Sequence, residues 1–470
     1  MAKKKKPENI VTSPLGRVWS VAKMGLQAGA KAASFAVQEV LSGEDGKAER
    51  LQSLLIDQAH ILKTELSKLK GTLLKAGQML AMVGEHIVPN EVVSVLNSMQ
   101  SQADPLPWKV MEAEIKRSIR PNQLNGLEID SEPFAAASIG QVHLATRKSD
   151  NQRLCVKIQY PGVAKAIDSD VQTLRTILSF TKVIPKMDDL DPIFDEVRTL
   201  MRHEVNYERE GKFTAWFREV LQTDRRYIVP LFYPEHSSGK VLVTSFEPGV
   251  EFKDPHVLQL SLSRRNELAA SFLELFFLEF FVLGHVQTDP HFGNYRIRLA
   301  DNHTSLDRLI LYDFGAVRTY SLKFRREYRK MFLAALEDNF ASFKVAFLSI
   351  GMGRETDSEQ ALQEFFSLYQ LVLEPYFKPG DRAANSRFVD ESGAYDFSSS
   401  DVHERIGQKI WQIKKLMGVR AIPREFIFLD RKVFGVATAL KVFQPKFNAR
   451  AILQKYLDQD LSEVRARSDD

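Results

Sequence analysis

Several features that define special classes of protein are scarce or absent in this sequence. A single cysteine, Cys155, among 470 residues excludes an intrachain disulfide and fits a reducing compartment. The basic start, MAKKKKPEN, is not followed by an apolar core before Pro14, so we expect no secretory signal. The most apolar stretch, residues 268–283, contains Glu274 and Glu279 and predicts a buried helix, because it is too short and too polar to cross a bilayer. The net charge of +4 is small for this length, which argues against a nucleic-acid partner. We therefore expect a cytoplasmic protein.

What is present suffices for a large folded protein. Hydrophobic residues make up 44% of the chain and charged residues 26%, enough for one large core or two lobes. We expect four parts: a basic, poorly patterned segment 1–50, a helical extension 51–130, a sheet-containing lobe 131–250 and a helical lobe 251–470. The run Lys3–Lys6 could contact an anionic membrane surface, with a solvated disordered tail as the alternative.

Hydrophobic periodicity gives a coarse map of helices and strands. Leucines at helical spacing predict one apolar seam in the extension: Leu62, Leu66, Leu69, Leu73 and Leu80. A further helix is expected around residues 110–119. Alternating patterns predict strands at 139–144 and 154–158, then at 227–232 and 241–246, with a later pair at 294–298 and 308–312. Helices are predicted at 168–181 and 192–217 and from 402 onwards, with a loop at 380–400. A small, mainly antiparallel sheet followed by a larger helical region is the α+β, bilobal arrangement of protein kinases, although this pattern alone fits other folds.

The first candidate site is the segment Asp289-Pro-His-Phe-Gly-Asn294. Asp289, with Asn294 five positions later and a long apolar helix before it, matches the catalytic-loop spacing of kinases. Such chemistry needs one carboxylate at the acceptor nucleophile and one amide oxygen on a magnesium ion that bridges the phosphates. A capped turn is the structural alternative for this pair taken by itself.

The second candidate site is Asp313-Phe314-Gly315. Apolar residues lead into Asp313 where a strand is expected to end, and Gly315 frees the backbone to turn. This is the metal-binding Asp-Phe-Gly pattern, common alone but much less so after Asp289 and Asn294 in this order.

A lysine in an apolar strand is the third feature. Lys157 lies within Leu-Cys-Val-Lys-Ile and needs a carboxylate or a phosphate as partner if it is buried. Glu210, on the following helical segment, is the expected partner, and such a pair holds the α- and β-phosphates in kinases. A half-exposed strand lysine is the alternative.

The glycine-rich phosphate loop of ordinary kinases is missing before this strand. In its place stand Ala135, Ala136, Ala137 and Ser138, a stiffer turn that allows a less close approach of backbone to phosphate. We expect the nucleotide to bind here differently from ordinary kinases, and the backbone from Glu247 to Gly249 to meet the adenine.

These motifs together resemble the UbiB family of atypical kinases, whose members support ubiquinone biosynthesis. Over about residues 60–450 the family's motifs occur in order: Lys75-Ala-Gly-Gln78, the Ala135–Ser138 run, Lys157, Gln287-Thr-Asp289-Pro and Asp313. Residues 1–50 are not covered. The resemblance implies binding of ATP with Mg²⁺, and either ATP hydrolysis or phosphorylation of a small or lipid-associated partner. The expected partners are quinone-biosynthesis proteins or lipid-like precursors, with the chain meeting the membrane only peripherally.

The resemblance also implies a regulatory role for the helical extension. In the family, the face carrying Lys75 and Gln78 packs over the active site and limits ordinary protein phosphorylation. The family's Glu-x-Asp motif, which faces this extension, reads Glu204-Val-Asn206 here, so one negative charge is lost. We expect a Lys75 contact at Asn206 to be weakened.

Two other functions fit the same residues. A nucleotide-dependent scaffold would bind partners with little turnover, although it would not need Asp289. A small-molecule kinase of the aminoglycoside-phosphotransferase type shares the Asp and Asn loop but has no reason to carry the Lys75–Gln78 helix.

Overall fold

The computed structural model describes residues 72–83, 96, 105–181, 191–301, 306–381, 387–417, 423–459 and 461. The basic segment 1–50, with its Lys3–Lys6 run, and three of the seam leucines (Leu62, Leu66 and Leu69) lie outside these ranges. The chain forms two compact units. The first comprises residues up to Lys212 together with Phe232–Phe246, and the second comprises Phe213–Leu231 and Glu247–Asp470.

The first unit combines helices with a four-stranded antiparallel sheet. Its strands are β1 (Leu127–Ala136), β2 (Gly140–Arg147), β3 (Gln152–Gln159) and β5 (Val241–Ser245), hydrogen-bonded in that order. Its helices are α1 (Thr72–Val83), α2 (Trp108–Ser118), α3 (Pro121–Leu124), α4 (Val163–Thr181), α5 (Asp191–Glu204) and the start of α6 (Tyr207–Leu221), with a 3₁₀ turn at Pro234–His236.

The core of this unit lies where apolar residues of strand β3 face apolar residues of helix α2. On β3, Leu154, Val156 and Ile158 point to one buried face, as the two-residue period of a strand requires. Met111 and Ile115, one turn apart on α2, cover that face. Helix α1 packs against α4 and α5, and its seam residues Leu73 and Leu80 are almost fully buried.

The second unit is mainly helical and contains three small sheets. Strand β4 (Tyr227–Ile228) pairs in parallel with β8 (Arg308–Leu311), which pairs antiparallel with β7 (Tyr295–Arg298). The antiparallel pairs are β6 (His285–Gln287) with β9 (Val317–Thr319), and β10 (Tyr395–Asp396) with β11 (Lys446–Phe447). The helices are α7 (Pro255–Leu258), α8 (Leu262–Phe277), α9 (Leu322–Leu336), α10 (Phe340–Ser349), α11 (Glu359–Val372), α12 (Val402–Met417), α13 (Arg424–Phe443) and α14 (Ala449–Leu457). Short 3₁₀ turns occupy Phe292–Asn294 and Glu374–Tyr376.

The apolar stretch at 268–283 lies in the core, as the sequence predicts. Its first part belongs to α8, and its last part, Leu278–Leu283, is a π-helical segment that continues α8. The core around it is built largely from phenylalanine rings, including Phe272, Phe276, Phe277, Phe280 and Phe281. Across the described residues, no helix is both long and apolar enough to cross a membrane.

Several predicted elements differ from the structure. The single helix expected at 192–217 is two helices, α5 and α6, because Asn206 ends one and caps the other. The strand expected at 227–232 is limited to the two residues of β4, since its partner β8 is also short. Strand β1 was not predicted, and the loop expected at 380–400 contains the short strand β10.

Candidate functional site

In the first unit, Lys157 and Glu210 form a close ion pair. Lys157 lies on β3, and its Nζ is 2.9 Å and 3.0 Å from the two carboxylate oxygens of Glu210 on α6. The ring of Tyr207 lies 5.0 Å from the same ammonium. The Glu210 side chain is only 4% exposed, whereas that of Lys157 is 24% exposed. The pair therefore holds a fixed positive group that solvent, or a ligand, can still reach.

The alanine-rich run next to this pair is less of a loop than the sequence suggests. Ala135 and Ala136 are the last residues of β1 and pair with Val142 and Gln141 of β2. The turn is confined to residues 137–139, and the N–H of Ala137 donates to the carbonyl of Gly140 at 2.8 Å. The expectation of a four-residue loop is thus wrong for its first half, because β1 extends through two irregularities in register.

Gly140 permits the close packing of this turn. A Cβ at this position would lie 2.4 Å from the carbonyl oxygen of Ile158 and 3.0 Å from the hydroxyl of Tyr207. The backbone oxygen of Ile158 leaves no room for a side chain. The turn therefore ends beside the strand that carries Lys157, since Gly140 pairs with Gln159 of β3.

The motif residues of α1 and α5 also meet in this unit. Lys75 Nζ lies 2.8 Å from a carboxylate oxygen of Glu204, and both side chains are about one-fifth exposed, at 21% and 22%. Asn206 caps α6, because its Oδ1 accepts the N–H of Arg209 at 3.0 Å. Lys75 and Gln78 lie on the partly exposed side of an otherwise buried helix. The charge missing at Asn206 therefore leaves the Glu204 contact of Lys75 in place.

In the second unit, Asp289 and Asn294 contact each other directly. The Asn294 Nδ2 donates to Asp289 Oδ2 at 3.0 Å and to the Asp289 carbonyl at 3.2 Å. The other carboxylate oxygen of Asp289 accepts from the guanidinium of Arg431 on α13 at 2.8 Å. Because the amide nitrogen of Asn294 is committed to Asp289, its amide oxygen is the atom that could contact a cation.

This loop lies against α13 at one close contact. A Cβ on Gly435 would lie 1.9 Å from Cβ of Pro290, so only glycine allows the helix and the loop to approach this far. Arg431 lies one helical turn before Gly435 and reaches Asp289 from the same helix. Helix α13 thus positions the Asp289 loop by both contacts.

Asp313 has an unusual backbone conformation. Its φ of +54° lies in the left-handed region, which costs a non-glycine residue about 1–2 kcal/mol. Its Oδ1 accepts the N–H of Gly315 at 3.1 Å, and the buried ring of Phe314 stacks on Phe217 with centroids 4.6 Å apart. These contacts hold the carboxylate in one direction.

Backbone and side-chain hydrogen bonds join the two loops of this unit. The N–H of Tyr312, next to Asp313, donates to the Asn294 carbonyl at 2.8 Å. Thr288 donates to the Ala316 carbonyl through its hydroxyl at 2.8 Å. The structure therefore brings the segments carrying Asp289, Asn294 and Asp313 together.

Four functional candidates in this unit were not singled out from the sequence as site residues: Arg431, Tyr295, Lys432 and Glu279. Arg431 contacts Asp289, and a buried chain of polar side chains links Gln287, Tyr295 and Lys432. Lys432 forms an ion pair with Glu279 at 3.0 Å, with side-chain exposures of 2% and 1%. Burial raises the pKa of Glu279 and raises that of Tyr295 to about 12. The sequence placed Glu279 only as a polar interruption of a helix, and Lys432 has no distinguishing pattern.

Glu247 begins the segment expected to meet adenine. Its carbonyl accepts a hydrogen bond from the hydroxyl of Tyr312, and its carboxylate lies 2.8 Å from Arg298. These contacts tie the segment to β7 and to the residue before Asp313.

The oxygen ligands available in the second unit suit a hard cation that the protein coordinates only in part. Asn294 offers an amide oxygen and Asp313 a carboxylate, both oxygen ligands of the kind that Mg²⁺ prefers. Among the described residues, no group of three or more His, Cys, Asp or Glu side chains could hold a metal ion. Mg²⁺ bound by phosphates needs only one or two protein ligands, so these residues fit that role.

A family model and curated relatives match this chain. The model of the ABC1 atypical kinase-like domain matches residues 98–346. The mitochondrial atypical kinase COQ8 of Saccharomyces cerevisiae is 30% identical over 438 residues, which are 92% of this chain and 82% of the yeast protein. The mitochondrial atypical kinase coq-8 of Caenorhabditis elegans is 31% identical over 375 residues, 79% of this chain but 47% of that protein.

A solved structure extends the likeness to the fold. The structure of Rv3197 with erythromycin, from Mycobacterium tuberculosis, has a TM-score of 0.55 at 22% identity and covers 89% of this chain and 98% of its own. The α+β, kinase-like fold predicted from the sequence is confirmed.

Proposed function

Because the chain belongs to the UbiB family of ABC1 atypical kinase-like proteins, we propose that it binds ATP with Mg²⁺ and catalyses phosphoryl transfer or ATP hydrolysis. The observation that carries this proposal is the contact of Asp289 with Asn294, joined to Asp313 through the backbone of Tyr312. Kinase chemistry needs a carboxylate at the nucleophile and two oxygen ligands for metal. Three such side chains on adjoining segments provide that set.

We assign the individual roles as follows. Asp289 positions the nucleophile, which is water or a substrate hydroxyl, and Asn294 and Asp313 hold Mg²⁺. Lys157, oriented by Glu210, contacts the α- and β-phosphates, and its partial exposure supports this role. When bound, Mg²⁺ would neutralise negative charge on the phosphates.

The turn after β1 and the segment from Glu247 complete the proposed nucleotide contacts. The turn offers the hydroxyl of Ser138, while the N–H of Ala137 is held by the Gly140 carbonyl and Ala135 and Ala136 are held in β1. Adenine is proposed to meet the backbone from Glu247 to Gly249.

Lys75, Gln78, Glu204 and Asn206 are proposed to regulate access to this site. The Lys75–Glu204 pair supports this role, since it fixes α1 against α5 at the motif positions. The contact survives without a carboxylate at residue 206, which supports regulation through Glu204 in this chain.

The physiological role we propose is support of ubiquinone biosynthesis, through a small or lipid-associated partner or another quinone-biosynthesis protein. The curated relatives are named as mitochondrial, whereas we propose a cytoplasmic protein that contacts membranes peripherally. Depletion of quinone in a host that lacks the protein would test the pathway, and fractionation of a host that contains the protein would test the location.

The direct test is nucleotide binding to Asp313→Asn with and without Mg²⁺. We expect the wild type to bind ATP more tightly when Mg²⁺ is present, and the variant to lose that gain because a neutral amide replaces the anionic ligand. Asp396→Asn is a matched control, since Asp396 caps a turn through Ser398 elsewhere in the same unit. Undiminished Mg²⁺-dependent binding by Asp313→Asn would contradict the metal role.

A nucleotide-dependent scaffold is the second candidate, and one observation favours it. Arg431 contacts one oxygen of the Asp289 carboxylate and Asn294 contacts the other, so the carboxylate is already engaged within the protein. Comparing ATP turnover of the wild type with that of Asp289→Asn separates the two functions. A fall of about 100-fold or more would support catalysis, whereas equal turnover with intact binding would support the scaffold.

A further inference from the structure

A buried ion pair in the second unit has no role in the function proposed above. Lys432 of α13 and Glu279 of the π-helical segment lie 3.0 Å apart and are almost fully enclosed. Two apolar side chains of similar size would stabilise a core at least as well as such a pair. A buried pair of this kind is therefore best explained by what it does to its neighbours.

The pair begins a chain of hydrogen bonds that ends at Asp313. Lys432 Nζ donates to the hydroxyl of Tyr295 at 3.3 Å, and that hydroxyl donates to Oε1 of Gln287 at 3.1 Å. The Nε2 of Gln287 donates to the carbonyl of Asp313 at 3.1 Å. Glu279 anchors the start of this chain of hydrogen bonds through its ion pair with Lys432.

The positive charge of Lys432 fixes the direction of every bond in this chain. An ammonium group can only donate, so the Tyr295 oxygen must accept from it and pass its own hydrogen to Gln287. Gln287 then has its amide oxygen towards Tyr295 and its amide nitrogen towards Asp313. Without the ammonium, the Gln287 amide could turn over, and its oxygen would then face the carbonyl of Asp313.

Asp313 is the residue in this region whose backbone needs such support. Its left-handed conformation persists only where the surroundings determine it. The contact to its carbonyl sets the plane of the peptide that follows Asp313, and hence the direction of the adjoining carboxylate.

We propose that Lys432 and Glu279 are positioning residues for Asp313, acting through Tyr295 and Gln287. This inference rests on the proposed function in one respect, the metal role of Asp313. The four side chains are buried, so their effect is on how well Asp313 is held for metal binding.

The test removes one hydroxyl from the middle of the chain. Tyr295→Phe keeps the ring packed against Phe272 but breaks both the bond from Lys432 and the bond to Gln287. Tyr227→Phe is the matched control, since Tyr227 is also buried and donates only to the Ser271 carbonyl. Both variants lose one buried hydroxyl in the same unit, so a general loss of stability affects them alike.

Two measurements on the whole protein are compared. In hydrogen exchange without nucleotide, we expect Tyr295→Phe to speed exchange of the 313–315 amides by about 10-fold or more, with no such change in Tyr227→Phe. In nucleotide binding, we expect the Mg²⁺ concentration for half-maximal effect to rise about 5- to 20-fold in Tyr295→Phe, and ATP affinity without Mg²⁺ to stay the same.

The two measurements keep this inference separate from the proposed function. Unchanged exchange at 313–315 in Tyr295→Phe would overturn the positioning role even if the wild type binds Mg-ATP. Faster exchange with an unchanged Mg²⁺ requirement would also overturn it, because metal binding by Asp313 would then not depend on the chain of hydrogen bonds. If the wild type shows no Mg²⁺-dependent binding, the proposed function fails, and the exchange experiment still decides whether the chain holds Asp313.

Discussion

Two lysine–glutamate pairs, one in each unit, have similar geometry and different surroundings. Lys157 and Glu210 are 2.9 Å apart, and Lys432 and Glu279 are 3.0 Å apart. The first lysine keeps 24% of its side chain exposed, whereas the second keeps 2%. A pair with an open side can add a phosphate to its contacts, but an enclosed pair can act only on the protein around it. Exposure, more than distance, separates a ligand-binding pair from an organising pair.

The largest effect we expect comes from breaking the enclosed pair. Lys432→Met leaves Glu279 charged and buried without its partner, which should lower the free energy of unfolding by about 3–5 kcal/mol. The double variant Lys432→Met with Glu279→Leu should recover most of that loss, because no buried charge remains. Urea unfolding of the three proteins measures both changes. A double variant no more stable than Lys432→Met would show that the cost is lost packing.

A smaller stability effect is expected at the open pair. Lys157→Met leaves the buried Glu210 without its ammonium partner but close to solvent, at a cost of about 1–2 kcal/mol. Its main consequence should appear with ligand: at 100 times the dissociation constant, Mg-ATP should stabilise the wild type by about 2.7 kcal/mol and Lys157→Met by much less. Thermal unfolding with and without Mg-ATP measures both. Equal stabilisation of the two proteins would argue against a phosphate contact.

The smallest effect concerns the charge missing beside the Lys75–Glu204 pair. Asn206→Asp keeps an oxygen that can cap α6 and adds a negative charge near Lys75, which should hold α1 more firmly. We expect basal ATP turnover to fall about two-fold, corresponding to less than 1 kcal/mol. Asn206→Ser, a neutral cap, is the control and should leave turnover unchanged. A rise in turnover in Asn206→Asp would show that this contact does not limit access.

The difference between the open pair, Lys157 with Glu210, and the enclosed pair, Lys432 with Glu279, also explains which of them the sequence could predict. Lys157 stands out because a charge in a short apolar strand is exceptional, and its partner lies on one of the next helices. Lys432 and Arg431 occupy a long helix where charges are ordinary, and their partners are far away in sequence. Local pattern therefore revealed one pair and not the other.

The fold shows a similar limit. Strand β1 was missed because none of its residues is fully buried and because the alternation of Leu127 and Ile129 with polar residues does not continue to Pro133. The break between α5 and α6 depends on Asn206 acting as a cap. A polar residue inside a helical pattern can also simply face solvent, so the sequence alone does not identify it as a cap. Long periodic segments such as α8 were predicted well, since their apolar faces are continuous.

The contact between Arg431 and Asp289 joins positions 142 residues apart in the chain. At a synthesis rate of 5–20 residues per second, a ribosome makes the Asp289 loop roughly 7–30 s before it makes Arg431. For that interval the nascent protein carries a carboxylate without its guanidinium and a loop without the helix that supports it. The Asp289 loop therefore gains its contacts with α13 only after Arg431 has been made.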